Sequence, residues 1–242
     1  VGQTTARTTA PALADHVATI VEQAFATADG MRAEAEAVFA AGGPVASAAL
    51  APLRPHVLAA LGGLVSGAGV ITVPLADGLP GLEWWMGADP SRRTRLVLDL
   101  DPDSDTYVDL RRMPWFSVPL ETGRRHVTGP YVDYVCAEEY TLTLTVPVRD
   151  GDTVTGIAGV DVTVGDLERV LRPAIRAVGA TVALVNAQGR VIAGSTARHV
   201  TGSLIRDPQI RAALQEGTPQ SLPGGVHVYP CGVLPLAVII TG

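Results

Sequence analysis

The sequence predicts an α+β fold, and three observations carry that expectation. Apolar residues at helical spacing run through a long segment near the start of the chain. The strand-like segments that follow are grouped and joined by short turn sequences of hairpin type. Regular strand–helix–strand alternation, the signature of a doubly wound parallel sheet, is absent.

Taken in order, residues 1–11 are rich in Thr, end on Pro11 and read as a disordered tail. Over residues 12–41, Leu13, Val17, Ile20, Val21, Ala24, Phe25, Ala28, Met31, Ala35 and Val38 recur every three or four positions. Asp15, Glu22, Arg32 and Glu34 fall mostly off that stripe, which predicts one long amphipathic helix. Asp29-Gly30 is the point where it could bend, and Gly42-Gly43-Pro44 should end it. A second helix is expected over residues 46–64, interrupted or restarted at Pro52 and Pro55. Short β-branched and apolar runs then predict strands at 69–74 and 96–100, the latter bounded by Asp101-Pro102-Asp103. Residues 140–148 alternate Thr with Leu and Val and form the clearest strand, followed by the turn Arg149-Asp150-Gly151-Asp152 and a partner strand at 155–164. Asp166 is placed as the N-cap of a helix reaching Val178. A shorter cycle follows, with strands at 181–186, 191–193, 225–229 and 234–241 and a helix at 209–216. The domain reading is therefore a tail (1–11), a first module (12–178) and a smaller second module (179–242).

Composition narrows the functions open to such a chain. Its 242 residues are 47% hydrophobic and 17% charged, which fits a well-filled core and not disorder. A net charge of -6 argues against a phosphate-binding nucleic-acid surface; the clusters Arg92, Arg93, Arg95 and Arg111, Arg112 read as solvated surface. No run reaches the ~20 apolar residues of a membrane span. Cys136 and Cys231 form no C-x-x-C; they read as two half-buried thiols, and a disulfide would need the fold to bring them together. The five histidines show no ligand spacing, and no nucleophile elbow, zincin, P-loop or dinucleotide fingerprint occurs. Asp101, Asp103 and Asp105 lack the glycine and distal glutamate of a calcium loop and read as a solvated turn. No cofactor or metal is expected.

Residues that look chosen for chemistry concentrate between Tyr107 and Asp161. An arginine fork suits a carboxylate, and Trp and Tyr can wall a small pocket while donating hydrogen bonds. Asp161 stands between Val160 and Val162 in an apolar strand. A charge there is costly unless paired, so it either turns outward on the pleat or meets a partner such as an ammonium group.

The passage P-W-F, then G-P-Y-V-D, L-T-L-T-V-P-V and G-I-A-G-V-D-V, followed by a leucine-rich helix, resembles a Cache-type sensor domain. The later V-A-L-V-N-A-Q-G-R-V-I-A is similar to the second module of a double Cache (PDC-like) sensor. The resemblance implies a long N-terminal helix packed on a curved, Cache/PAS-like antiparallel sheet, then a smaller α+β module, with the ligand held in the first module. It also implies ligand contacts, through a branch of the family that binds amino acids. There Tyr107 and Arg112, five residues apart, Trp115-Phe116, Tyr131 and Asp161 match the branch's ordered motif. Arg112 with the aromatic pair would hold a carboxylate, and the tyrosines with Asp161 an amino group. The chain departs from the branch by one extra residue between Arg112 and Trp115, and by Phe116 where a tyrosine is usual. Asp133 either faces the pocket or braces its loop.

The expected function is thus a non-enzymatic sensor of an amino acid or other small carboxylate or amine. It would contact no nucleic acid, insert no segment of its own into a membrane, and could pair with a second copy through the long helix. The competing readings are a structural or dimerisation module with a vestigial pocket, and a hydrolase using Asp133, Asp161 or His126. Location is open at this stage: extracytoplasmic for a sensor domain trimmed from a receptor, cytoplasmic for a stand-alone protein.

Overall fold

Strict alternation on one hairpin sets the architecture. In the computed structural model, which describes residues 8–42, 47–133 and 139–241, β5 (Tyr140–Asp150) and β6 (Thr153–Thr163) pair antiparallel along their length. Leu142, Leu144, Val146, Ala158, Val160 and Val162 point to one face, into the main core. Thr141, Thr143, Thr145, Ile157, Gly159 and Asp161 take the other, as the period of two demands. Around this pair forms a six-stranded sheet in the order β3-β2-β1-β6-β5-β4. It is completed by β1 (Gly67–Pro74), β2 (Pro80–Met86), β3 (Thr94–Arg95) and β4 (His126–Val132).

Helix α1 (Ala10–Ala40) covers the first face. Its stripe, Leu13, Val17, Ile20, Val21, Ala24, Phe25, Ala28, Met31, Ala35 and Phe39, is buried against the chain's own strands. The helix starts two residues earlier than expected: Thr9 accepts from the Ala12 N–H at 3.3 Å as N-cap, and Pro11 sits in the first turn, where its missing N–H leaves no gap. It runs unbroken through Asp29-Gly30. The expected second helix is a 3-10 segment, Ser47–Leu53, followed by α2 (Arg54–Ala60).

Two local expectations are corrected. Residues 96–100 form no strand, because only Thr94 and Arg95 pair with β2 and, among the described residues, this edge has no further neighbour. The segment stays extended, with Leu96 buried and Val97 exposed. Asp166 is not the cap of α4 (Val164–Val178): Thr163, the last residue of β6, is, accepting from the Asp166 N–H at 3.3 Å and donating to its carboxylate at 2.9 Å.

The second face of the sheet is covered by residues 96–113 and α3 (Pro114–Thr122), an element that two prolines hid from a periodicity reading. Beyond α4, β7 (Thr181–Asn186), β8 (Val191–Gly194), α5 (Pro208–Glu216), β9 (Gln220–Leu222), β10 (Val226–Pro230) and β11 (Leu236–Thr241) complete the chain. The strands form a five-stranded antiparallel sheet in the order β8-β7-β11-β10-β9. Ile210 and Ala213 of α5 pack on one face, and the other face joins α1 and α4 in the main core. Asn186 ties the two sheets together, donating to the Gly129 carbonyl at 2.7 Å. Cys231 is a buried thiol that burial pushes up to about 12; Cys136 and residues 1–7 of the expected tail lie outside the described residues.

Candidate functional site

The site is built on two cross-strand rows of the first sheet. In the first, Met86, Gly67, Asp161 and Thr143 are neighbours on β2, β1, β6 and β5. In the second, Trp84, Gly69, Gly159 and Thr145 occupy the same four strands. Glycine is required at Gly69 chiefly by the backbone of Glu83 and Trp84, and at Gly159 by Thr145 Cγ2 at 2.8 Å and the Leu144 carbonyl at 3.0 Å, with the Trp84 side chain close behind at both. A Cβ on Gly69 would lie 2.9 Å from the Trp84 Cβ, and one on Gly159 would lie 3.1 Å from the indole edge. Trp84 therefore reaches from β2 across β1 to β6 on a floor without side chains.

Over these rows lies a cavity of about 330 Å³, lined by Trp84, Trp115, Tyr131, Asp133, Thr143 and Asp161, with apolar walls from Ile71 and the covering segment. Trp115 is 6.5 Å from Trp84, ring centre to ring centre, and meets Phe116 edge-on at 6.1 Å. A second cavity of about 220 Å³ adjoins it. Asp133 and Asp161 line both, and Ser66, Glu139 and Thr141 belong to the second.

Asp161 is the electrostatic centre. It is 6% exposed, and burial pushes its carboxyl up to about 7. The Thr143 hydroxyl, donating at 2.6 Å, opposes that shift, the nearby Asp133 carboxylate adds to it, and the Trp84 indole again opposes it. The Trp84 N–H is buried and makes no well-formed hydrogen bond to the described residues. With Thr143 donating to Asp161, the Tyr131 hydroxyl donates to Thr143 at 2.8 Å. A register shift in β4 between Thr128 and Tyr131 brings it there. The result is a relay Tyr131–Thr143–Asp161 at one end of a mostly apolar chamber.

The fold brings Trp115, Tyr131, Asp133 and Asp161 of the expected set into one cavity. Phe116 is buried beneath Trp115 in the cluster under the cavity. Tyr107 and Arg112 are not among the lining residues. Arg112 ends a 3-10 turn, Leu110–Arg112, with its side chain exposed. His126 on β4 is likewise absent from the lining. Sequence reasoning missed Trp84, Thr143, Met113, Leu96 and Leu98 as wall residues. The glycines of β1, Gly67 and Gly69, are two apart and so on one face, and were the available signal for the indole above them.

Residues 93–169 match the family model described as methyl-accepting chemotaxis protein-like, first PDC sensor domain. No curated protein matches the chain by sequence. Among solved structures, the periplasmic sensory domain of the Campylobacter jejuni chemoreceptor Tlp1 is 10% identical with a TM-score of 0.68, over 94% of this chain and 90% of that one. The ligand-binding domain of the Pseudomonas aeruginosa PAO1 amino acid chemoreceptor PctC, in complex with GABA, is 19% identical with a TM-score of 0.58, over 95% and 96%. The ligand-binding domain of the Campylobacter jejuni chemoreceptor Tlp3, in complex with L-norvaline, is 16% identical with a TM-score of 0.55, over 96% and 88%. The chain thus has the α+β fold of the sensor domains of chemoreceptors and histidine kinases, and residues 93–169 within it are similar to the first PDC sensor domain of methyl-accepting chemotaxis proteins.

Proposed function

We propose that this chain is the non-enzymatic sensing part of a signal-transducing receptor, binding an amino acid or other small amine- or carboxylate-bearing metabolite. One observation carries the reading: a buried carboxylate, Asp161, held by Thr143 and Tyr131 at the end of a chamber walled by Trp84 and Trp115. A sealed apolar core has no use for such a group. The ligands named for the PctC and Tlp3 domains, GABA and L-norvaline, each carry an amino group that such a carboxylate would hold.

In this reading residues 12–178 are the ligand-binding module and residues 179–242 a second module. Asp133 takes part in the site, and Tyr107 and Arg112 act outside it. The chain works outside the cytoplasm, like the periplasmic Tlp1 domain it is similar to in fold; among the described residues no helix is long and apolar enough to cross a membrane. Pairing with a second copy along α1 would use the face left by its buried stripe, where Thr19, Ala26 and Ala33 are exposed.

Signalling requires that the ligand favour one of two conformations. Residues 96–113 and α3 are the part of the cavity wall that can close, since they cover the sheet without being strands of it. The test is calorimetric titration of the purified chain with a panel of amino acids, amines and carboxylates, repeated on Asp161→Asn. Binding that is lost in the variant supports the site; a panel without a single binder rejects it.

A further inference from the structure

The chain contains no lysine; all 18 of its basic side chains other than histidine are arginines. Among the described residues, no arginine or histidine lines either cavity. The nearby arginines are engaged elsewhere. Arg111 pairs with Asp109 at 3.1 Å, Arg93 donates to the Leu61 carbonyl at 3.0 Å, and Arg54 and Arg95 hold Glu83 at 2.8 and 3.1 Å. The segment between Asp133 and Glu139 reads Tyr-Val-Cys-Ala-Glu and contributes no basic residue. Among the described residues, no guanidinium in the wall of either cavity faces the Asp161 carboxylate, which is 6% exposed.

A carboxylate ligand would add negative charge to this chamber and find no cation there. An ammonium group would bring a positive charge to Asp161, with the Asp161 carboxylate and the Tyr131 and Thr143 oxygens as acceptors. Beyond the acidic end, Ile71, Leu96, Leu98, Val108, Met113 and Trp115 offer only hydrocarbon, an aromatic face and a thioether. That surface suits an alkyl or aryl body. The Trp84 N–H, buried and aimed at the acidic end, favours an ionised Asp161 and is a poor substitute for a guanidinium as a carboxylate partner.

We propose that the cavity selects organic amines, an ammonium head on an apolar body, and discriminates against the α-amino acids that carry the same side chain. This rests on the reading of the cavity as the ligand site.

Three probes with one branched carbon skeleton separate the possibilities: 3-methylbutylamine (ammonium only), leucine (both charges) and 4-methylpentanoate (carboxylate only). Each is titrated calorimetrically into the purified chain at pH 8, with 2-phenylethylamine and phenylalanine as a second matched pair. The expected result is that each amine binds at least ten-fold tighter than its amino acid, and that 4-methylpentanoate gives no binding heat. Asp161→Asn, checked by circular dichroism for an intact fold, should lose amine binding. An amino acid that binds as tightly as its amine overturns the amine proposal and leaves the sensor reading standing. Failure of all five probes overturns this proposal, while the wider panel described above decides the sensor reading separately.

Discussion

Glu83 and Trp84 are consecutive on β2 and stand on opposite faces of the same sheet. Trp84 walls the cavity. Glu83, fully buried, accepts from the Trp85 indole at 2.7 Å and from Arg54 at 2.8 Å, with Arg95 at 3.1 Å. The strand that carries the indole is therefore tied to α2 by charge. Removing the carboxylate orphans a part-buried indole N–H and two guanidinium groups that are each about two-fifths exposed. Glu83→Leu should destabilise the chain by about 1–3 kcal/mol, the lower part of the range for breaking a buried pair because both partners reach solvent. Denaturant unfolding checks this, and a loss below about 0.5 kcal/mol would contradict it.

Gly67 is required by its neighbour. A Cβ there would lie 2.4 Å from Asp161 Oδ2, so Gly67→Ala has to displace the carboxylate. The expected cost is about 1–3 kcal/mol, typical of overpacking, with a parallel loss of amine affinity. Combined with Asp161→Ala the same substitution should cost at least about 1 kcal/mol less, because residues in contact do not add independently. An unchanged cost in that background would show that the two side chains do not compete for space.

Titration of Asp161 should work on stability and on binding with opposite signs. Its carboxyl rises from 3.8 in an unfolded chain to about 7 in the fold. Between those values the folded state holds a proton that the unfolded state has released, so this group's contribution to stability declines as pH rises through the window. The decline is at most on the order of 4 kcal/mol, at about 1.4 kcal/mol per unit. Asp161→Asn should remove that slope and melt higher than the parent at pH 8, with the difference shrinking towards pH 4. Amine binding needs the ionised carboxylate, so it should strengthen up to ten-fold per pH unit below about 7 and level off above. A variant that melts at or below the parent temperature at pH 8 would count against the burial account.

Arg112 is exposed and absent from the cavity wall. Arg112→Ala should change the affinity of 3-methylbutylamine by less than about two-fold, since an exposed charge contributes little across solvent. A ten-fold loss would place the guanidinium at the ligand.

Legibility in the sequence followed the pleat. The Thr-Leu alternation of β5 and the lone aspartate of β6 were readable because a period of two puts every second residue on one face. Helix α1, which packs on the apolar face of that hairpin, was readable from its stripe. The second layer of the site was not. Glu83-Trp84-Trp85 places large or charged side chains on both faces, so no alternation marks β2 as a strand. Residues 96–100 misled because a short apolar run bounded by turn residues reports burial, not whether a neighbouring strand exists to pair. Arg112 and Asp161 could be matched to a motif by spacing alone, but only the fold shows that the 3-10 turn carries the arginine outward while the pleat carries the aspartate in.

Asp133 and Asp161 line both the main chamber and the adjoining cavity that contains Glu139. The pair therefore stands at the boundary between the two cavities. A cation arriving from the outer side meets negative potential before it meets the aromatic walls, and an anion meets the same potential as a barrier. Selectivity then begins during diffusion: the association rate of a cationic ligand should fall steeply with ionic strength, while its escape, governed by contacts deep in the chamber, should hardly respond to salt.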